Sequence, residues 1–185
     1  MKVSLVVIAK NEALNLAKCL GSCVGLVDEL IVVDSGSTDD TIKIAQQFNA
    51  RVINNKWLGF GKQKQFAIEQ SLNDWVLCLD ADELLTSELK DEIYRELSNP
   101  KFNAYYLIRC NKFLGRYLRY GAGYPDRIIR LFNRNYANWS DDLVHERVIV
   151  SGKVGTLSGD VLHDSAESIS KYLLKQNLYT DTQAK

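Results

Sequence analysis

Residues 3–9 read VSLVVIA, a run that is almost entirely apolar and rich in β-branched side chains. Because polar and apolar residues do not alternate in it, the run is typical of a strand buried on both faces of a parallel sheet. Three further runs predict strands at 30–33, 51–54 and 75–79, and an amphipathic pattern predicts a helix after each strand. This order of elements predicts an α/β fold, a Rossmann-like open and mostly parallel sheet with helices on both faces.

The bounds of the four helices follow from capping signals and from the spacing of apolar residues. Asn11 is placed to cap a helix that begins near Ala13, and Ser37–Asp40 resembles a capping box that opens the second helix. The third and fourth helices are predicted at 62–72 and 87–97.

The pattern changes after Pro100, where short strands alternate with loops rich in Gly and Tyr. Strands are predicted at 104–109, 127–132 and 144–150, and a helix is predicted from Ser168 to about Ala184. The second half of the chain therefore extends the sheet of the first half instead of repeating its β-α units.

Neither an internal repeat nor a linker divides the chain, so residues 1–185 are expected to form a single domain. Residues 1–100 hold the repeated β-α units, residues 101–165 extend the sheet, and a C-terminal helix at 166–185 is expected to be cut short. This organisation places any ligand site at an edge of the common sheet.

The composition is that of a folded protein, and it excludes several classes. Of 185 residues, 46% are hydrophobic, and 23 Lys and Arg residues balance 23 Asp and Glu residues. Nucleic-acid binding needs a basic surface, so no nucleic-acid partner is expected. The four cysteines form no Cys-x-x-Cys pair and are expected to be reduced packing residues of a cytoplasmic protein. The run at 3–9 is too short for a membrane span and lacks a cleavage site, so no signal peptide is expected.

Acidic and amide residues follow three of the first four predicted strands. Asn11 follows the first strand, Asp34 ends the second, and Asp80 and Asp82 follow the fourth. In an open α/β sheet, ligands bind beyond the carboxyl ends of the strands, so these residues predict one site at that edge. Two carboxylates one residue apart can face a single Mg²⁺ or Mn²⁺ ion, and Asp34 would then lie near the base or ribose of a nucleotide. The alternative for Asp80 and Asp82 is a solvated acidic turn, and the alternative for Asp34 is a helix cap.

The common phosphate-binding and catalytic motifs are absent from the sequence. No Gly-x-Gly-x-x-Gly follows the first strand, and the P-loop pattern fails around Gly61-Lys62. His145-Glu146 is not a metalloprotease motif, because Ile149 stands where the second His is required. A bound diphosphate would therefore need another source of positive charge, which a cation at the two aspartates would supply.

Six short segments together resemble a known family. They are VVIAKNE (6–12), IVVDSGSTDDT (31–41), LDADE (79–83), GYPDR (123–127), RLF (130–132) and VHE (144–146). The first three resemble an inverting family 2 glycosyltransferase of the GT-A fold. The last three resemble the branch of that family that adds a sugar to the lipopolysaccharide inner core. The matches run in the expected order from Val3 to about Tyr179, so as an ordered set they are quite specific.

The resemblance implies a UDP-sugar donor bound by residues 1–100 and an acceptor bound by residues 101–165. The implied donor-binding residues are Ala9, Asn11, Glu12, Asp34, Lys62, Gln63 and Asp80. The implied ligands of Mg²⁺ or Mn²⁺ are Asp80, Asp82 and His163, although His163 has the alternative of a polar residue at a strand end. The implied catalytic base is Glu146, with Asp126, Asp141 and Asp142 as rivals.

The implied reaction is a single displacement that inverts the anomeric centre, with glucose as the expected sugar. The basic and aromatic residues between 109 and 147 fit an anionic glycolipid, such as the lipopolysaccharide core, and a peripheral contact with an anionic membrane. A solvated surface is the alternative for these residues. Two other functions stay open: a nucleotidyltransferase on a similar sheet, and a non-catalytic module that binds sugar nucleotides or glycolipids.

Overall fold

The computed structural model describes residues 1–121, 123–142 and 146–166. The strands are β1 (Val3–Ala9), β2 (Glu29–Asp34), β3 (Arg51–Asn54), β4 (Trp75–Asp80), β5 (Glu83–Leu85), β6 (Ala104–Phe113), β7 (Arg116–Tyr117), β8 (Asp126–Asn133), β9 (Ala137–Trp139), β10 (Val148–Val150) and β11 (Val154–Ala166). The helices are α1 (Ala13–Cys23), α2 (Thr41–Gln47), α3 (Phe60–Glu69) and α4 (Ser87–Ser98).

Nine of the described strands form one sheet in the order β3-β2-β1-β4-β8-β6-β11-β5, with β7 beside β6, and β9 and β10 form a separate pair. Strands β1 to β4 are mutually parallel, β8 is antiparallel to both β4 and β6, and β11 is parallel to β6. Strands β1, β2, β3, β4, β6 and β11 therefore run in one direction. This confirms the predicted open, mostly parallel sheet.

Both faces of the sheet are covered, as the sequence predicts. Leu5 and Val7 of β1 pack with apolar residues of α1, α2 and α4 on one face. Val6 and Ile8 of the same strand pack with α3 and with the β9–β10 pair on the other face. Burial of each such side chain contributes roughly 1.5–3 kcal/mol, so the run at 3–9 anchors two cores at once.

Several details differ from the sequence-based expectations. Asn11 does not cap α1, and no side chain caps α2, because the polar groups before these helices bond to each other across two loops. Helix α3 begins and ends earlier than the predicted 62–72. Of the strand predicted at 144–150, Val148–Val150 is strand β10, residues 146 and 147 are described outside any strand, and 144 and 145 lie outside the described residues. Residue 166 ends β11, and the rest of the helix predicted at 166–185 lies outside the described residues. All four cysteines are buried and free, as expected.

Candidate active site at the carboxyl edge of the sheet

The residues predicted to bind a ligand meet where the parallel strands end. Strand β1 lies between β2 and β4, and its register places Ala9 beside Asp34 and Ile8 beside Asp80. Ala9, Asp34 and Asp80 therefore lie together at the carboxyl edge of the parallel strands, as the sequence predicts.

Asp34 shapes the loop that follows β2. Its side chain is almost completely buried, and its Oδ2 accepts hydrogen bonds from the backbone N–H groups of Gly36 (2.8 Å) and Ser37 (2.9 Å). The Ser37 hydroxyl donates to Oδ1 of the same carboxylate. Gly36 has a φ of +88°, which a residue with a Cβ adopts only with strain. Asp34 thus holds a fixed turn beside the sheet edge.

The loop after β1 is bonded to the loop after β2. The backbone N–H of Asn11 donates to Ser37 Oγ at 2.9 Å, and Asn11 Oδ1 accepts from the N–H of Thr38 at 2.7 Å. The N–H of Glu12 donates to Thr41 Oγ1 at 2.8 Å. These bonds bring the predicted donor-binding residues Asn11 and Glu12 next to Asp34, and they fix Asn11 at a φ of +57°.

The predicted donor residues on α3 occupy two different environments. Gln63 is fully buried, donates from Nε2 to Ser35 Oγ (3.0 Å) and accepts from Asn55 Nδ2 (3.0 Å). It joins the Asp34 loop to the end of β3. Lys62 is exposed and lies on the surface beside this group. Of these two predicted donor-binding residues, Gln63 thus lies beside the Asp34 loop, and Lys62 lies on the nearby surface.

Asp80 lies between two buried cations. Its Oδ1 is 2.8 Å from Lys64 Nζ, and its Oδ2 is 2.5 Å from Arg130 Nη2. Burial opposes ionisation of Asp80, but Arg130 and Lys64 together hold its pKa well below its usual range. Burial likewise opposes the charge of Lys64, and the carboxylate of Asp80 outweighs it, so the pKa of Lys64 is raised. All three groups are therefore charged near neutral pH.

Glu83 and Arg130 form a buried ion pair that the sequence analysis left without a role. Glu83 is fully buried and accepts from Arg130 Nε (2.9 Å), Arg130 Nη2 (2.8 Å) and the backbone N–H of Asp80 (3.0 Å). Arg130 belongs to the basic residues between 109 and 147, for which a solvated surface was the alternative, yet only 5% of it is exposed. The sequence feature that indicates its burial is its position inside the apolar run 128–132, where an arginine needs a partner of opposite charge.

Glu146 is the acidic candidate that reaches this network. Its Oε1 lies 3.1 Å from Lys64 Nζ, so one ammonium group bridges Asp80 and Glu146. Lys64 is 2% exposed, and its Nζ also lies 4.7 Å from the centre of the Trp139 ring. Lys64 was not among the site residues predicted from the sequence.

The rival acids do not reach the Lys64 bridge. Asp126 is bound by Arg109, with its Oδ2 2.7 Å from Nη2 and 2.8 Å from Nε. Asp141 and Asp142 are exposed to solvent. His145, the neighbour of Glu146 in the VHE segment, lies outside the described residues.

Two of the three predicted metal ligands face each other. Asp82 Oδ2 is 3.3 Å from His163 Nε2, because β11 pairs with β5 immediately after Asp82. The other ring nitrogen, Nδ1, is 2.6 Å from Asn111 Oδ1. A proton on Nδ1 satisfies that contact and leaves the Nε2 lone pair directed at a carboxylate, the arrangement that suits a bridging cation.

Asp80 does not complete this pair, since both of its oxygens are bound to Lys64 and Arg130. Consistently, the described part of the chain contains no group of three or more side chains placed to hold a metal. The residues that fit a cation are therefore Asp82 and His163, and the ligand role of Asp80 stays a prediction.

Comparison with known sequences agrees with this geometry. The family model described as Glycosyl transferase family 2 matches residues 4–149. An uncharacterized glycosyltransferase of Rickettsia typhi is 36% identical over 100% of this chain and 67% of its own length. The lipopolysaccharide core biosynthesis glycosyltransferase LpsC of Rhizobium meliloti is 32% identical over 100% of this chain and 71% of its own length.

Comparison with solved structures supports the fold. Residues 1–349 of TarS from S. aureus match with a TM-score of 0.63 at 15% identity, over 89% of this chain and 61% of TarS. The same protein in complex with UDP-GlcNAc matches with a TM-score of 0.51 at 23% identity, over 63% of this chain and 36% of TarS. The chain thus spans about two thirds of the two glycosyltransferase sequences and a smaller share of TarS, and it has the GT-A architecture of TarS.

Proposed function

The chain belongs to glycosyl transferase family 2, and from that premise we propose that it transfers a sugar, with glucose as the expected one, from a UDP-sugar to a hydroxyl group of a lipid-linked core saccharide. The observation that supports this proposal most is the bridge from Asp80 through Lys64 to Glu146. It ties a carboxylate at the donor edge to a second carboxylate from the distant half of the chain. Transfer by single displacement needs such a pair of functions, one at the leaving group and one at the acceptor.

The proposed roles follow from the surroundings of each side chain. Asp34 and Gln63 form the wall of the donor pocket, since both are buried and hold the loops after β2 and β3. Glu146 accepts the proton of the acceptor hydroxyl as its oxygen attacks the anomeric carbon. Lys64 orients Glu146 through its ammonium group. Because the attack comes from the face opposite the leaving UDP, the configuration inverts.

The proposed metal site consists of Asp82 and His163, with Asp80 as the further predicted ligand. An Mg²⁺ or Mn²⁺ ion there would act as a Lewis acid that offsets the charge of the departing UDP. Asn111 would hold the His163 ring in the orientation that presents Nε2.

The acceptor proposal rests on the relative LpsC, whose name assigns it to lipopolysaccharide core biosynthesis. Such acceptors are anionic glycolipids, and Arg116, Arg119 and Arg127 present exposed cations on the second half of the chain. A cytoplasmic protein with peripheral membrane contact fits this acceptor. Among the described residues, no helix is long and apolar enough to cross a membrane.

Titration calorimetry with UDP, with and without Mn²⁺ or Mg²⁺, tests the donor and metal parts of the proposal. We expect UDP affinity to increase with metal and this increase to be lost in Asp82→Ala. Glu146→Gln should bind UDP as the wild type does but lose sugar transfer to a core acceptor. Asp142→Asn, which changes an exposed acid of the same loop region, should retain both.

Three results would contradict the proposal. UDP affinity that is independent of metal would remove the role of Asp82. Full transfer by Glu146→Gln would remove the proposed base. Binding of UDP by the wild type without any transfer to supplied acceptors would favour the non-catalytic module instead.

A further inference from the structure

Large apolar side chains that reach solvent are concentrated at one edge of this protein. Within the described residues, fourteen large hydrophobic side chains are exposed, and eight of them follow strands that end at the carboxyl edge. They are Leu14 after β1, then Trp57, Leu58 and Phe60 after β3, and Leu114, Tyr117, Leu118 and Tyr120 after β6. This is the edge that carries Asp80 and Asp82. We call these eight side chains the apolar rim.

The segment between β3 and α3 is the most prominent part of the apolar rim. Trp57 and Leu58 are each 48% exposed, and Phe60 is 43% exposed. The rings of Trp57 and Phe60 pack edge to face with centroids 4.8 Å apart, so they cover each other instead of joining the core. Gly59 has a φ of +92° and permits the turn that displays both rings.

The two segments that carry most of the apolar rim are basic, whereas Leu14 lies beside an acid, since the N–H of Ala13 donates to Asp39 Oδ2 at 3.2 Å. Residues 41–68 and 111–121 contain no Asp or Glu. Lys56, Lys62 and Arg116 are exposed, and no described carboxylate pairs with any of them. Exposed aromatic rings flanked by unpaired cations are the combination that binds the headgroup region of anionic membranes.

We propose that the apolar rim docks on the surface of an anionic phospholipid bilayer, with the Trp57–Phe60 pair in the headgroup region and Lys56 and Arg116 on lipid phosphates. The docking surface adjoins the candidate active site directly. A Cβ added to Gly61, the residue after Phe60, would lie 3.3 Å from the Cβ of Glu146. Docking deepens the proposed function, because it names the surface that makes the peripheral membrane contact, but it does not depend on sugar transfer. Its consequence, that a lipid-linked hydroxyl reaches Glu146 from the bilayer, rests on the proposed transfer.

Sedimentation with lipid vesicles tests the charge contribution without any donor or acceptor present. The wild type should bind vesicles of phosphatidylcholine mixed with phosphatidylglycerol and should bind pure phosphatidylcholine much more weakly. Each cation near such a surface contributes roughly a fivefold increase in binding, so Lys56→Glu combined with Arg116→Glu should weaken it about 25-fold or more. Lys2→Glu combined with Lys101→Glu, two exposed lysines at the opposite edge, makes the same change of net charge and should bind almost normally.

Tryptophan fluorescence tests the aromatic contribution at a single residue. Trp75 and Trp139 are buried, whereas Trp57 is exposed, so a blue shift and protection from iodide on adding anionic vesicles report on Trp57. Trp57→Ser should abolish this change. Phe60→Ser should reduce vesicle binding, while Leu72→Ser, at an exposed site of the opposite edge, should not.

The docking proposal is overturned if the wild type does not prefer anionic vesicles, or if the two charge variants bind equally well. It is also overturned if UDP alone protects Trp57 fully and vesicles add nothing, because the segment would then be part of the donor pocket. Failure in these assays leaves the calorimetry and transfer results untouched, so it is distinguishable from failure of the proposed function.

Discussion

Substitution of Arg130 by methionine is expected to destabilise the protein by about 3–5 kcal/mol, the usual cost of removing one partner of a buried ion pair. The side chain of Arg130 is 7% exposed and that of Glu83 is 0% exposed. After the substitution, Glu83 keeps the hydrogen bond from the N–H of Asp80 and a distant Arg109 Nη1 at 3.8 Å. Methionine fills much of the space of the arginine stem, so the loss reports on the uncompensated carboxylate and not on a cavity.

Equilibrium unfolding in urea, followed by both circular dichroism and tryptophan fluorescence, measures this loss. With a urea dependence of about 2 kcal/mol per molar, the midpoint should fall by roughly 1.5–2.5 M. Arg127→Met is the matched control, because Arg127 lies on the same strand with its side chain exposed. It should change stability by less than about 0.5 kcal/mol.

A double-mutant cycle separates the pair from its surroundings. Glu83→Met alone should also be costly, because it leaves Arg130 with Asp80 as its one carboxylate partner among the described residues. The double variant, Glu83→Met with Arg130→Met, removes both charges and should be at least about 2 kcal/mol more stable than the sum of the single effects predicts. The reasoning is refuted if Arg130→Met costs less than about 1 kcal/mol, or if the two single effects simply add.

Two further predictions concern the neighbours of this pair. In Gly61→Ala, the new Cβ would lie 2.5 Å from the Ser140 carbonyl oxygen, so the segment that bears Glu146 must shift. We expect the kcat of sugar transfer to fall with little change in UDP affinity. An unchanged kcat would contradict this expectation. The difference in unfolding free energy between wild type and Asp80→Asn should stay constant from about pH 5 to pH 9, because the pKa of Asp80 is lowered and that of Lys64 is raised. It should shrink as the pH falls below about 3.9, the ordinary pKa of an aspartate, because the unfolded carboxyl then takes up a proton, and the shrinkage should continue down to the depressed pKa of Asp80. Unfolding titrations at several pH values check this.

The first half of the fold was predictable because its strands are encoded locally. Strands β1, β2 and β4 each contain a buried apolar run of four to seven residues that is closed by a polar turn, so their position and order can be read without tertiary information. Strands β5, β7 and β9 were missed for the opposite reason. They are two or three residues long, too short for a periodic pattern. In addition, β5 pairs with the distant β11, whereas β7 and β9 pair with the neighbouring strands β6 and β10.

The site was predictable in place but not in its contacts. The rule that ligands bind beyond parallel strands located Asp34 and Asp80 correctly at one edge. The partners of these groups depend on long-range register: Lys64 meets Glu146 across 82 positions, and Arg130 meets Glu83 across 47. Local rules also failed where two loops compete with a helix for the same polar group. Asn11 accepts a hydrogen bond from the loop after β2 instead of capping α1.

The two aspartates of the Asp-x-Asp segment are chemically distinct in this protein, although a sequence motif treats them as a pair. Asp80 belongs to a network in which two cations, Lys64 and Arg130, face three carboxylates, those of Asp80, Glu83 and Glu146. The charge of Asp80 is therefore neutralised by Lys64 and Arg130, and these ion pairs join residues from both halves of the chain. Among the described residues, the ion-pair partner of Asp82 is the imidazole of His163, so its charge remains available to a cation. Loss of Asp80 should consequently be detected first in the free energy of unfolding, and loss of Asp82 in metal-dependent UDP affinity.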